Sequence, residues 1–391
     1  MIPRTITPHL QRLFRQYPFV TVTGPRQSGK TTLCRAAFPD LAYVNLESPR
    51  SRRFAEEDPE RFLGSYSDGA ILDEIQRVPE LLSWLQVLAD ERRTNGLFVL
   101  TGSGQFLLMD KVDQSLAGRT ALLRLLPLSI GELRGGGTAP GLDDLLFTGF
   151  FPRIYDQNLD PAIALGDYVE TYLERDVRRI GEIRNLNAFR RFVRLCAGRV
   201  GQLLDYTALG ADAGVTHATA RGWLSLLEAS YILFRLEPFH ANVRKRLVRS
   251  PKLYFYDVGL AAWLLDIENA GQLQTHPLRG ALFENAVVVE ALKHAYNGGR
   301  RPLVSFFRDR RGLECDLLYR SGERLLAVEA KSGATIASDW FSGLNKVSAI
   351  VSGIAAGAVV YGGAARQERR GGEAVPLAQF GDLLGRFDAG G

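Results

Sequence analysis

Residues Gly24, Pro25, Arg26, Gln27, Ser28, Gly29, Lys30, Thr31 and Thr32 directly follow the β-branched run Phe19–Thr23. Glycines at the first and sixth of these positions let backbone N–H groups wrap an anion without Cβ clashes. A lysine after the second glycine can reach the β- and γ-phosphates, and the Thr31 hydroxyl is a hard oxygen ligand for Mg²⁺. A helix starting here turns the positive end of its dipole toward the same anion. The chain has only seven lysines against 41 arginines, so a chance lysine at this position is rare. The spacing predicts that Gly24–Thr32 binds ATP.

A second stretch, "GAILDEIQ", ends an apolar run in Asp73 and Glu74. Behind a phosphate loop, Asp73 is placed to hold Mg²⁺ through water, and Glu74 to polarise the attacking water, which points to hydrolysis. "LFVLTGS" supplies a further strand whose polar end, Thr101 or Ser103, either senses the γ-phosphate or forms a simple turn. Arg119, in "SLAGRT", reads as an arginine finger for a neighbouring subunit or as a structural surface arginine.

A third constellation lies near the C-terminus, in "LECDLLYRSGERLLAVEAKSG". A hairpin turning at Ser321-Gly322 sets Asp316 opposite Ala327, and side chains two apart share a strand face. Asp316, Glu329 and Lys331 then project together, as does Glu314. That is the arrangement of a PD-(D/E)XK nuclease fold: carboxylates hold Mg²⁺ or Mn²⁺, and Lys331 steadies the attacking water or the transition state. Glu284 falls on the Ala281, Val288, Ala291 and Ala295 stripe of a preceding helix, where a carboxylate needs a metal ion or an ion pair with a nearby arginine.

These residues need elements to position them. "FVTVTG", "AYVNL", "GAILDE" and "LFVLTG" read as strands of a parallel sheet covered on both faces. "GELRGGGTAPGLDD" reads as a loop or linker. "DYTALGADAGVTHATARGWLSLLEAS" has a helix-turn-helix layout, with His217, Thr219 and Arg221 near the start of the second helix. "YILFRLEP" and "KLYFYDVG" frame a wing carrying Arg244, Lys245, Arg246, Arg249 and Lys252, cations suited to a nucleic-acid backbone or to a solvated loop. The expected units are 1–140 for the P-loop domain, 141–200 for a helical connector, 201–270 for a winged helix and 271–391 for the nuclease-like domain.

The 46% apolar and 23% charged composition is that of a globular chain, and the net charge of +5 permits an acidic partner. No apolar stretch approaches the ~18 residues of a membrane span, the N-terminus lacks a signal-peptide core, and three scattered cysteines form no framework. A cytoplasmic location is expected.

The motifs "GPRQSGKTT", "ILDEIQ", "LTGS", "LAGR", "GFFPRIY", "YVETYLERDV" and "LYFYDVGLA" together resemble a widespread family of prokaryotic AAA-type ATPases. Members join an N-terminal P-loop domain to a C-terminal domain of unknown function. The resemblance implies an oligomeric ATPase with a winged helix and a nuclease-like C-terminal domain. The expected fold is therefore an α/β P-loop NTPase sheet, then a helical and winged-helix region, then a PD-(D/E)XK-like α/β domain. The expected function is Mg-ATP hydrolysis applied to DNA in remodelling, repair or cleavage. The alternative is an ATP-driven switch that assembles with a protein partner and carries an inactive nuclease-like domain.

Overall fold

The computed structural model describes residues 1–102, 116–177, 183–239, 250–337 and 339–390. Ser103, Arg244, Lys245, Arg246 and Arg249 lie outside the described residues.

Five strands, β1 (Phe19–Thr23), β2 (Ala42–Asn45), β3 (Ala70–Asp73), β4 (Phe98–Thr101) and β5 (Thr120–Arg124), form a parallel sheet in the order β2-β3-β4-β1-β5. Strand residues alternate between two apolar layers, as a sheet covered on both faces requires. Val20, Ile71, Val99 and Leu123 pack with Leu10 and Leu33 of the helices Thr7–Gln16 and Lys30–Ala37. Phe19, Leu72, Phe98 and Leu100 pack with Phe62 and Leu85 of the helices Pro59–Gly64 and Leu81–Arg92. Strand β5 is an addition to the four the sequence pointed to. It sits on the other side of β1 from β4, so the strand order reverses beside the phosphate loop, where open α/β sheets form their binding crevice.

The Gly-rich segment after the sheet is not all loop. Ile130–Gly135 is helical, because Ser129 and Glu132 form a capping box that satisfies two N–H groups at its start. The middle region contains the helices Pro161–Tyr168, Leu186–Ala197, Tyr206–Ala213 and His217–Ala229. Gly214, left-handed at φ 75°, ends the third of these, and Thr216 caps the fourth through Thr219 N. A two-stranded antiparallel ribbon follows, β6 (Leu233–Leu236) with β7 (Lys252–Phe255).

The long helix Arg279–Asn297 opens the last region. The strands β8 (Val304–Arg308), β9 (Glu314–Ser321) and β10 (Arg324–Lys331) form an antiparallel meander. The helix Trp340–Ser348 crosses over to β11 (Ile354–Tyr361), parallel to β10. Strands β12 (Gln367–Arg369) and β13 (Gly372–Pro376) complete a six-stranded sheet in the order β12-β13-β11-β10-β9-β8.

Asn285 joins the last two regions. Fully buried, it donates to Phe255 O at 2.9 Å and accepts from Phe255 N at 2.7 Å, completing the outer edge of β7. Asn285→Leu strands both backbone groups, and a buried polar group left without a partner costs about 1–3 kcal/mol. The variant is expected to melt several degrees below the wild type by circular dichroism. An unchanged melting curve would show that the pairing adds nothing to stability.

Candidate functional site

The phosphate loop connects the C-terminal end of β1 to the helix Lys30–Ala37. Gly24 has φ 144°, and a Cβ there would stand 2.1 Å from Leu125 O, so no other residue fits. Gln27 and Gly29 are also left-handed, at φ 59° and 88°, which folds the loop into a ring at the helix start. Lys30 points back into that ring and donates to Gly24 O at 3.1 Å and Pro25 O at 2.7 Å. Its ammonium is buried, and burial pulls its pKa down to about 8 despite the opposing charges of Glu74 and Asp73.

Asp73 ends β3 beside the loop. Thr31 Oγ1 donates to both its carboxylate oxygens, at 3.1 and 3.0 Å, and Tyr43 OH donates at 2.7 Å. Thr101, at the end of β4, also donates to Asp73. These oxygens, from Thr31 and Asp73, are the hard donors that suit Mg²⁺. Glu74 follows in a left-handed conformation, φ 57°, with its carboxylate accepting from Gln76. A cleft of about 1000 Å³ opens beside Gly29, Lys30, Thr31, Thr32 and Glu74. Pro3, Arg26, Pro152 and Tyr172 also line it, and the Arg26 guanidinium sits 5.1 Å from the Tyr172 ring centroid.

Arg4 is a member of this site that the motifs do not mark. Its guanidinium donates to Ser28 O and to Leu126 O, both at 2.7 Å, and pairs with Glu132 at 3.2 Å. Holding the Ser28 carbonyl outward favours a loop whose N–H groups face inward. No spacing rule reaches this residue, since its partners lie 24 and 122 positions away.

Arg119 is not brought to the phosphate loop of its own chain. Phe19 N bonds Arg119 O, so the residue stands at the start of β5, at the far end of the sheet from the loop. Its side chain grips Asp90 through Nε and Nη2, each at 2.7 Å.

The C-terminal residues come together around an ammonium group. The β9–β10 register pairs Leu318 with Ala327 and Leu317 with Val328, so the turn is Gly322-Glu323, with Gly322 left-handed at φ 60°. Asp316 therefore comes opposite Glu329, two residues on from the expected Ala327. A slip of two preserves the strand face, so the expected cluster survives. Asp316 accepts from Ala330 N at 2.9 Å, and Lys331 donates to Glu329 at 2.8 Å. Glu284 accepts from Tyr254 OH at 2.5 Å and from Lys252 Nζ at 2.8 Å.

Lys252 also pairs with Glu314 at 2.5 Å and lies 3.9 Å from Asp316. This corrects one expectation. Lys252 is a buried partner of the carboxylates, not a cation displayed on a wing. Among the described residues, no three His, Cys, Asp or Glu side chains are placed to enclose a metal ion. The ion-pair partner of Glu284 is the Lys252 ammonium rather than the arginine that the sequence suggested. Burial, with the charge of Asp316, still pushes the Glu284 and Glu329 carboxyls up.

Fold and site together define an AAA-type P-loop ATPase, and an AAA domain family model matches residues 16–134. Two models described as domains of unknown function, DUF8612 and DUF4143, match residues 139–271 and 279–380. Uncharacterized protein Rv2008c of Mycobacterium tuberculosis is 32% identical over 338 residues, covering 85% of this chain and 74% of its own. Uncharacterized protein Mb2031c of Mycobacterium bovis matches with the same figures. The chain belongs to the family of these proteins. Among solved structures, the Walker-type ATPase PABY2304 of Pyrococcus abyssi is 16% identical, with a TM-score of 0.45 over 68% of this chain and 96% of that one. Among the described residues, no helix is long and apolar enough to cross a membrane.

The depressed pKa of Lys30 gives ATP binding a pH dependence. Below pH 8 the free protein already carries the ammonium that the phosphates require, so affinity is level. Above pH 8 binding must take up a proton, and affinity is expected to fall by up to about tenfold per pH unit. Titration calorimetry of a non-hydrolysable ATP analogue between pH 7 and 9.5 measures this; a flat profile would show that Lys30 stays charged.

Proposed function

We propose that this ATPase uses Lys30, Thr31, Asp73 and Glu74 as its catalytic centre. The carrying observation is their convergence at the C-terminal ends of β1 and β3, beside the cleft. The loop N–H groups and Lys30 receive the phosphates, the lysine exchanging the Gly24 and Pro25 carbonyls for phosphate oxygens. Thr31 and Asp73 would hold Mg²⁺, which supplies charge neutralisation at the β- and γ-phosphate oxygens. Glu74 orients and deprotonates the attacking water. Thr101 fixes the Asp73 carboxylate. Lys30→Ala is expected to abolish ATP binding, and Glu74→Gln to keep binding while lowering kcat by about 10²-fold or more. Equal turnover in wild type and Glu74→Gln, measured by phosphate release, would take Glu74 out of this role.

The oligomer we propose places Arg119 against the γ-phosphate of a neighbouring copy, since its own loop is at the other end of the sheet. Inactive Lys30→Ala and inactive Arg119→Ala proteins are then expected to regain turnover when mixed, because a mixed interface carries one intact lysine site and one intact arginine. No rescue despite demonstrated subunit exchange would make Arg119 a structural partner of Asp90.

DNA is the target this reading favours for the ATP-driven change. Support comes from the net charge of +5 and from the helix His217–Ala229, which leaves His217 and Arg221 exposed near its N-terminus. The helix–meander–helix–parallel strand order of the C-terminal region supports a nuclease-like fold for residues 271–391. One observation favours the rival reading, a switch with a catalytically silent C-terminal domain: the carboxylate cluster already holds Lys252. ATPase rates with single-stranded, duplex and branched DNA at several salt concentrations separate the two. Stimulation that falls steeply with salt supports DNA; turnover indifferent to every DNA supports the switch.

A further inference from the structure

Lys252 opens β7, in the ribbon of the middle region, yet its side chain ends inside the C-terminal sheet domain. The side chain is 3% exposed, and its ammonium lies 5.5 Å from the Phe306 ring centroid. The strand fixes its origin: Lys252 is paired with Leu236 of β6 and bridged to Leu203. Tyr254, two residues on, donates to the same Glu284. Two neighbouring positions of one strand thus hold a carboxylate of another domain.

The charges explain why an ammonium is held there. Glu284, Glu314, Asp316 and Glu329 crowd one face, and buried carboxylates at this spacing repel unless cations stand among them. Arg308 meets Glu314 at 3.1 Å, and Lys331 meets Glu329 at 2.8 Å. The point shared by Glu284, Glu314 and Asp316, from the helix and from β9, is taken by Lys252. A divalent ion reaching those oxygens has to displace that ammonium, because both would claim the same lone pairs at close range.

We propose that the Glu284–Glu314–Asp316 cluster is an ammonium-binding site whose resident cation is Lys252, so that docking of the β6–β7 ribbon excludes divalent metal from these three carboxylates. The inference builds on the nuclease-like reading of that domain and adds its regulation: while the ribbon is docked, the centre is closed to the metal a nuclease of this type requires.

The test uses the full-length chain in an Asp73→Asn/Glu74→Gln background, which removes both nucleotide-site carboxylates from the measurement. Mn²⁺ uptake is followed by calorimetry and by the shift in melting temperature. Lys252→Met keeps the stem and removes the charge. It is expected to take up Mn²⁺ at least about tenfold more tightly than the Lys252 protein, and adding Asp316→Asn is expected to abolish the gain. Lys252→Arg, which keeps a cation, is expected to show no gain. Equal Mn²⁺ uptake with lysine and with methionine overturns the proposal, and so does a folded Lys252→Met protein with no uptake. Should Lys252→Met fail to fold, acylation of the wild type decides instead. Lys252 is expected to react at least about tenfold more slowly than the exposed Lys346 and to speed up in Glu284→Gln/Glu314→Gln; equal rates in the wild type overturn the docking. DNA cleavage is scored separately. Mn²⁺ uptake by Lys252→Met without any cutting keeps the lock and removes the nuclease reading.

Discussion

Charge buried along the helix Arg279–Asn297 sets how the parts of this chain meet. Glu284, Asn285, Glu290 and Lys293 all project from it into the interior, and each finds a partner outside the C-terminal sheet. Glu284 takes Lys252 and Tyr254, and Asn285 takes the backbone of Phe255. Glu290 accepts from Ile130 N at 3.0 Å, and Lys293 donates to Leu128 O at 2.7 Å while its ammonium sits 3.3 Å from the Phe150 ring centroid. Removing one partner from a buried ion costs several kcal/mol. The helix therefore acts as a peg whose polar groups fit only this set of neighbours.

The same logic runs on to the nucleotide site. Glu132, just after the residues that Glu290 and Lys293 hold, accepts from Thr5 N at 2.8 Å and Ser129 N at 2.9 Å and pairs with Arg4. Arg4 holds the Ser28 carbonyl of the phosphate loop. On the other side of β1, Thr23 meets Tyr231 OH at 3.2 Å, and the Arg124 guanidinium stands 5.7 Å from the Tyr231 ring and 5.1 Å from that of Tyr296. The phosphate loop is thus in direct polar contact with segments that also grip the middle and C-terminal regions. One route consists of hydrogen bonds and an ion pair, and the other of a hydroxyl contact and guanidinium–ring packing.

What was legible in the sequence was local. Glycines and a lysine within nine positions specify the loop, an apolar run ending in Asp73-Glu74 specifies a strand end, and alternation on β9 and β10 puts Asp316 and Glu329 on one face even though the turn lay one residue further on. Strand β5 escaped because "ALLRLLPL" is apolar without a clean period of two, and short apolar runs do not distinguish strand from helix. Ile130–Gly135 escaped because glycines outweighed the Ser129–Glu132 capping signal. Arg4, Tyr43 and Lys252 escaped for a deeper reason. Their roles depend on residues far along the chain, and a single lysine in a basic stretch looks the same whether it faces water or three carboxylates.

The division of labour between the two basic side chains has a consequence for spectroscopy. Arginine dominates the basic residues, and guanidinium does not titrate below pH ~12. Lys30, Lys252 and Lys293 are buried, and the three cysteines are buried with their thiols pushed upward. Burial draws Lys30 and Lys293 downward into the mildly alkaline range. Between neutrality and pH 10 the ammonium groups of Lys30 at the phosphate loop and of Lys293 on the helix Arg279–Asn297 therefore come into their titration range. Proton release recorded in that interval thus includes two interior groups, one in the phosphate loop and one, Lys293, that bonds Leu128 O across the fold.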